Sequence, residues 1–411
     1  MNVEQQAVLE AVKKGLNVFI TGSAGTGKSY TIVEIIKWGR SQGFEVAVTA
    51  STGTAAYLLR GKTIHSYLGI GLAKKSASDL ARYILDNKKF IAKRIRDLDI
   101  LIIDEVSMID SELLDKISEV LSLVRGSKKA FGGVQTVLCG DFCQLPAING
   151  KYCFLAQEWQ RANIKIIMLK QLMRQSKDQE FASILEEVRW GKCSKETRKR
   201  LSSLKDTVFK GGVIPTILYS MNVDVDSMNQ KRFQELVDKG AVVKRCVTTY
   251  SEGLGGKAWA DAMKIHDSMD LCEGAQVVLT WNLDQEAGLV NGSRGVVMEV
   301  TDKGTNVRFT NGMEVLIEPF KMSQEDDVSV WVKFMPLKLA YALTVHKSQG
   351  MTLDAVVLDL GSSIFEYGQA YTALSRARNL ASVCILNVRA SSFKVHKDVL
   401  DFYGKLATQS V

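Results

Sequence analysis

Hydrophobic positions along the 411-residue chain fall into short runs, separated by longer stretches in which apolar residues return every three or four positions. The runs NVFIT (17–21), EVAVT (45–49), DILIID (99–104) and VQTVLC (134–139) read as buried strands, and the intervening periodicity predicts helices over 28–41 and 111–124. Alternation of this kind predicts a parallel sheet covered on both faces. After about residue 174 a second series follows, with TILYS, GAQVVLT, LKLAYALT, AVVLDL and SVCILNV as strands and 222–238 as a helix. It predicts a second α/β domain of similar kind.

Two stretches break this rhythm. Residues 66–96 are basic and helical in pattern and lie between two strands of the first domain, whereas residues 296–335 alternate with period two around a TNG turn. The first is expected to be a small helical insert and the second a small antiparallel one.

Composition narrows the class. Hydrophobic residues make up 46% and charged residues 24%, with 4 Pro against 32 Gly, a balance that buries cores and excludes a disordered chain. Lys and Arg total 53 against 45 Asp and Glu, and the net charge of +8 favours a polyanionic partner only weakly. The 7 Cys are scattered without CxxC pairs or nearby His, so a disulfide framework and a zinc site are disfavoured, and Cys139 and Cys143 read as packing thiols. No apolar run could span a bilayer and the first residues do not resemble a leader, so the expectation is a soluble intracellular protein without a membrane partner, its compartment open.

Candidate chemistry begins with GSAGTGKS at 22–29, which fits GxxxxGK[ST] and sits between a predicted strand and a predicted helix. Gly22, Gly25 and Gly27 let the loop turn so that its N–H groups, with those of Ser23, Ala24 and Thr26, face phosphates. Lys28 would reach the β and γ phosphates and Ser29 would hold Mg²⁺. Asp104 lies 76 residues after Lys28 at the end of an apolar strand, where it would hold the metal through water, and Glu105 would act as general base on the attacking water. After VQTVLC comes GDFCQLP (140–146), from which Gln144 could contact the γ-phosphate or its water.

Read together, the blocks carry a resemblance. STGTAAYLL (51–59), TIHSYLGI (63–70), LKQLMRQ (169–175), LVNGSRG (289–295), YALTVHKSQGMTLD (341–354) and YTALSRAR (371–378) occur in the order seen in superfamily 1B helicases. SELLDKISEVLSLVRGSKKAFGGVQ (111–135) is similar to the signature of the PIF (petite integration frequency) DNA helicases, with RecD-like and Dda-like helicases as cousins. The match covers nearly the whole chain. Ala130 and Ala147 stand where the family usually has Pro, departures that leave the ATPase roles intact.

The resemblance implies an α/β fold of two RecA-like domains. These are 1A at 1–170 with a wedge insert 1B at 66–96, and 2A at 171–411 with an SH3-like insert 2B at about 296–335. It implies that Gln5 reads adenine, that Arg174 and Arg376 reach the γ-phosphate, and that Gly350 belongs to the nucleotide site. Thr52, Gly53, Thr54, Thr63, His65, His346, Lys347 and Ser348 resemble the family's strand-contacting positions. Lys74, Lys75, Lys88 and Lys89 fit strand contact and a solvated basic face equally well.

The implied activity is ATP- and Mg²⁺-dependent 5′-to-3′ unwinding of DNA by a monomeric motor acting on single-stranded and forked DNA in replication, repair, recombination or telomere maintenance. G-quadruplexes and RNA–DNA hybrids stay open as substrates. Two alternatives also stay open: a translocase that does not unwind, and a P-loop switch that times binding to protein partners. The SH3-like insert could also be a peptide-binding module, although its fusion into the motor favours a role in gripping DNA.

Overall fold

The structure is a computed structural model. It describes the chain except residues 149, 172–177, 210–214, 263–264, 282, 285–286, 288, 290–292, 311, 324–327, 354 and 409–411, and except the side chains of 54, 57, 58, 254, 262, 407 and 408. The chain divides into two compact units, one made of Met1–Ser220 with Val345–Val411 and the other of Met221–Thr344.

In the first unit, β1 (Val18–Gly22), β2 (Val46–Ala50), β3 (Lys62–Thr63), β4 (Ile100–Asp104), β5 (Gln135–Cys139) and β6 (Lys165–Leu169) form one six-stranded sheet in the order β3-β2-β4-β5-β1-β6. Every pairing in it is parallel; Ile102, for example, lies between Val48 and Val137. A strand flanked on both sides and covered on both faces has no polar face to offer, which is why β1 and β4 are buried at all five positions. Helices α1 (Val3–Lys13) and α2 (Lys28–Ser41) pack their apolar faces on this sheet through Val8, Val12, Ile32 and Ile35, against Ile20, Ile102 and Val137. The predicted helix at 111–124 is α7 (Ser111–Arg125), started by the Asp110 carboxylate accepting from the Leu113 N–H at 2.7 Å and ended by Gly126 in the left-handed conformation.

The 66–96 insert is helical as expected. It contains α5 (Ala77–Asn87) and most of α6 (Lys89–Asp97), and α5 and α6 both pack on α7. A short helix, α3 (Gly53–Leu58), precedes it, and another, α4 (Ile64–Leu68), runs into its start. The same unit holds β7 (Thr216–Tyr219), which runs parallel to Val356–Leu360, itself parallel to Val383–Val388. An aromatic cluster of Phe19, Phe142, Phe154 and Trp159 packs on Phe402 of the Lys397–Thr408 helix, with the Phe154 and Phe402 rings stacked at 4.4 Å.

The second unit contains the predicted 222–238 helix as Asn222–Asp238, and is otherwise mostly antiparallel. Its largest sheet orders Glu314–Ile317, Thr305–Phe309, Arg294–Val300, Gln276–Leu279 and Leu337–Leu339. Two runs expected among the strands of the second α/β domain therefore behave differently: GAQVVLT and the LKL of LKLAYALT flank one another antiparallel, extending the antiparallel region on both sides of 296–335. Both are apolar enough for either kind of sheet, and the partner that supplies the ladder decides. No helix among the described residues is long and apolar enough to cross a membrane, and all seven cysteines are free thiols.

Candidate active site

The loop between β1 and α2 owes its path to glycine. Gly22, Gly25 and Gly27 have φ of +148°, +89° and +84°, and a Cβ on Gly22 would sit 2.3 Å from the Leu169 carbonyl oxygen. Gly27 is the N-cap of α2, so the helix opens with its free N–H groups facing the loop. Lys28 Nζ donates to the carbonyls of Gly22 at 2.8 Å and Ser23 at 3.0 Å, and Thr26 Oγ1 donates to Ser23 at 2.9 Å. Ser23, Ala24 and Thr26 are buried, whereas Ser29 is exposed in the first turn of α2. The result is a rigid ring of amides with one cation folded over it.

At the end of β4, the Asp104 carboxyl is buried, and burial together with the neighbouring Glu105 charge pushes it up to about 6. A carboxyl so placed gains from a nearby cation. Glu105 has φ +52°, a left-handed backbone that a non-glycine residue adopts at a cost, and the turn is held by Ser51 Oγ donating to the Glu105 carbonyl at 2.8 Å. Its Oε2 accepts from Gln349 Nε2 at 3.2 Å, and the same amide nitrogen reaches Ser107 Oγ at 3.1 Å. Residues 244 apart in sequence thus meet at the candidate base. Gln349 was not singled out by sequence reasoning, although it lies in the VHKSQG block directly after His346, Lys347 and Ser348.

Among the buried amide groups with an atom that lacks a hydrogen-bond partner are Gln5 Nε2, Gln144 Oε1 and Gln349 Oε1. Gln5 is fixed by a capping box in which its N–H donates to Asn2 Oδ1 at 2.8 Å while its Oε1 accepts from the Asn2 N–H at 3.0 Å, leaving the NH₂ group to face something else. A purine edge, a phosphate oxygen and a water are groups that such atoms accept or donate to, so the residues present fit a nucleoside triphosphate with its metal.

A second feature escaped the sequence reading altogether. Asp141 of GDFCQLP is fully buried and receives both Arg189 Nε at 3.0 Å and Nη2 at 3.1 Å from the Gln179–Arg189 helix. Tyr371 donates to Asp141 Oδ2 at 3.1 Å and accepts from the Ala24 N–H at 3.0 Å, while Tyr403 bonds Thr21 Oγ1 at 2.7 Å and reaches Asp141 Oδ1 at 3.4 Å. Burial is the largest effect on this carboxyl and acts to raise it, but the Arg189 charge and the hydrogen bonds together outweigh it and hold it below the ordinary carboxylate value. The network ties the phosphate loop to Tyr371 of YTALSRAR and to the last helix. Asp141→Ala would strand a buried guanidinium and is expected to cost about 3–5 kcal/mol, read as a lower urea midpoint, whereas a loss under about 1 kcal/mol would deny that the pair is buried.

Arg376 is 5% exposed, with Nε donating to the Thr372 carbonyl at 3.0 Å, Nη1 to Met351 at 3.2 Å and Nη2 to Ser375 Oγ at 2.8 Å. Arg174, the other expected arginine, lies outside the described residues. Gly350 has φ +82° and approaches Ala55 of α3 closely enough that a Cβ would stand 3.4 Å from the Ala55 Cβ.

The expected strand-contacting residues occupy short helix starts. Thr52 Oγ1 accepts from the Ala55 N–H and Thr63 Oγ1 from the Ser66 N–H, each at 3.3 Å, and Gly53 opens α3. Thr54 also lies in α3, its side chain outside the described set. His65 and His346 are both half-buried, and burial lowers each imidazole below its ordinary value, so at pH 7 both are neutral and offer N–H donors and ring faces instead of charge. Lys347 is exposed; Ser348 is fully buried, with Oγ donating to the Val345 carbonyl at 2.8 Å.

Comparison with known proteins converges on one family. A family model described as PIF1-like helicase matches residues 1–199, one described as the DNA helicase Pif1 2B domain matches 265–300, and one described as the UvrD-like helicase C-terminal domain matches 339–384. The ATP-dependent DNA helicase PIF1 of Xenopus laevis is 36% identical over 99% of this chain, which spans 64% of that protein's length. The Pif1 helicase structure from Candida albicans is 34% identical with a TM-score of 0.89, covering 99% of each chain. The Pif1 helicase from Bacteroides in complex with ADP-AlF3 and single-stranded DNA is 26% identical with a TM-score of 0.83, covering 99% of this chain and 97% of that one.

Proposed function

Because the chain belongs to the PIF1-like helicase family, we propose that it is an ATP- and Mg²⁺-dependent DNA helicase that moves 5′ to 3′ along single-stranded DNA and opens duplexes ahead of it. The domain boundaries at 1–170 and 171–411, and a monomeric motor acting on forked DNA, belong to the same reading. The observation that carries it is the Gln349–Glu105 hydrogen bond. It joins the block that supplies His346 and Lys347 for the strand to the carboxylate that supplies the base for hydrolysis. A shift of one on DNA binding re-aims the other.

In this reading the α2 N-terminus and loop amides hold the phosphates, and Lys28 leaves the Gly22 and Ser23 carbonyls to take the γ-phosphate. Gln5 meets the base, Gln144 and Glu105 orient the attacking water, and Arg376 with Arg174 supplies fixed positive charge. Ser29 and Asp104 would hold Mg²⁺, which when bound neutralises charge on the phosphate oxygens. Thr52, Thr54, Thr63 and His65 form one grip on the strand, and His346 with Lys347 the other, the buried Ser348 holding the turn beneath them.

ATP hydrolysis measured with and without an unstructured oligonucleotide tests the reading. Single-stranded DNA is expected to raise the rate several-fold, and log affinity is expected to fall with log salt at about 0.7 per phosphate contacted. An unstimulated rate would favour a P-loop switch instead.

A further inference from the structure

The SELLDKISEVLSLVRGSKKAFGGVQ segment marks the family resemblance, yet the hydrolysis site leaves it without a role. In the structure it builds a cavity of about 340 Å³ lined by Arg96, Arg125, Ser127, Lys129, Gly132 and Gly133. The walls are fixed. Arg125 Nε donates to the Gly132 carbonyl at 3.0 Å and Nη1 to the carbonyls of Ile95, Arg96 and Leu98 at 2.7 to 2.8 Å, leaving Nη2 without an acceptor among the described residues. Gly132, at φ +63°, lies so close to Leu121 that a Cβ would stand 2.7 Å from its carbonyl oxygen, and Ser118 and Ser122 hold the Phe131 and Gly132 N–H groups at 2.7 and 3.1 Å.

Charge converges on this place. Residues 60–97 hold ten Lys and Arg against three Asp and Glu, a net of +7 where the whole chain carries +8. On α6 the exposed Lys89, Lys93 and Arg96 stand at i, i+4 and i+7, one face of the helix with rises of about 6 and about 4.5 Å, and the row ends at the cavity. Some surface cations elsewhere are matched by acids, among them Lys13 with Glu10, Arg200 with Glu180, Arg245 with Asp270, and Lys257 with Asp261 and Asp267. Among the described residues, Lys89, Lys93, Arg96, Lys128 and Lys129 have no ion-pair partner.

The cavity is not part of the strand groove already assigned. It lies where α6 leads into β4 and α7 leads into β5, at the N-terminal ends of these strands, whereas Asp104 closes β4 and Glu105 follows it, about 13–16 Å away along the extended strand. Its lining has cations, a hydroxyl and glycine backbone but no aromatic ring, so it suits phosphates and offers no platform for an unpaired base.

We propose that this row and cavity bind backbone phosphates of the duplex arm of a DNA substrate, a second contact separate from the translocated strand. The proposal rests on the helicase reading above. Its test is the triple variant Lys93→Gln, Arg96→Gln, Lys129→Gln compared with the parent chain on two probes, a single-stranded oligonucleotide and the same strand carrying a duplex arm. The variant is expected to bind the tailed duplex at least about tenfold more weakly, with a salt slope smaller by about three, while single-strand affinity and single-strand-stimulated hydrolysis stay within about twofold. Equal affinities and slopes for variant and parent on the tailed duplex would overturn the proposal, as would equal losses on both probes, which would mean a diffuse field in place of a site. Failure of the helicase reading would look different: the parent chain itself would show no single-strand-stimulated hydrolysis.

Discussion

Lys28→Ala is expected to lower ATP turnover about a thousandfold or more, on the order of 4 kcal/mol of transition-state stabilisation, without moving the urea midpoint. The two halves of this expectation have different causes. Turnover falls because the ammonium is the one cation carried by the phosphate loop itself, directly after the Gly27 N-cap, where charge grows on the transferring phosphoryl group. Stability holds because Lys28 is only partly buried and bonds neutral carbonyls, its charge being a minor influence on the buried Asp104 and Asp141 carboxyls. Steady-state hydrolysis with saturating DNA checks the first, and urea unfolding the second. Turnover near the parent value would remove the phosphate loop from the mechanism.

Arg376→Ala is the second large effect. A guanidinium that meets the γ-phosphate in the transition state contributes about 10³–10⁵ in rate, whereas nucleotide affinity depends on it far less. In the structure Nε and Nη1 donate to the Thr372 and Met351 carbonyls, neutral acceptors that a phosphate can outcompete. A fall in kcat with nearly unchanged nucleotide Kd is the expected result. Equal losses in both would make Arg376 a ground-state clamp, and Arg376→Lys, which keeps the charge and loses the planar fork, is expected to recover little.

What the sequence made legible was what is contiguous. The phosphate loop, its strand and its helix lie within 30 residues, and glycine spacing specifies the turn almost without reference to the rest of the chain. Asp104 and Glu105 were legible only alongside the phosphate loop, because on its own an acidic pair ending an apolar run is more often a solvated loop. Pairings across long separations were not. Gln349 on Glu105, and Arg189 and Tyr371 on Asp141, follow from how distant segments pack, and no local period announces them. Nothing in the local sequence around Arg189 points to Asp141, and only the packing of the Gln179–Arg189 helix makes that pair. The strand GAQVVLT marks another limit: a short apolar run states that it is buried, and its neighbours Arg294–Val300 and Leu337–Leu339 decide that it runs antiparallel.

In the proposed function these roles meet in coupling. If Glu105 is the base and the turn bearing His346 and Lys347 holds the strand, the Gln349–Glu105 hydrogen bond would make the hydrolysis geometry depend on strand binding. Under the same proposal, neutral imidazoles at positions 65 and 346, and hydroxyls that also cap α3 and α4, would give a grip that ignores base sequence, as repeated stepping along a strand requires.

The most direct test is strand separation with ATP and Mg²⁺ on two duplexes that differ only in whether the single-stranded tail is 5′ or 3′. The expected result is that the 5′-tailed duplex is unwound while the 3′-tailed duplex stays paired, and that omission of ATP abolishes unwinding. Unwinding confined to the 3′-tailed duplex would contradict the direction, and DNA-stimulated hydrolysis with neither duplex opened would leave a translocase in place of a helicase.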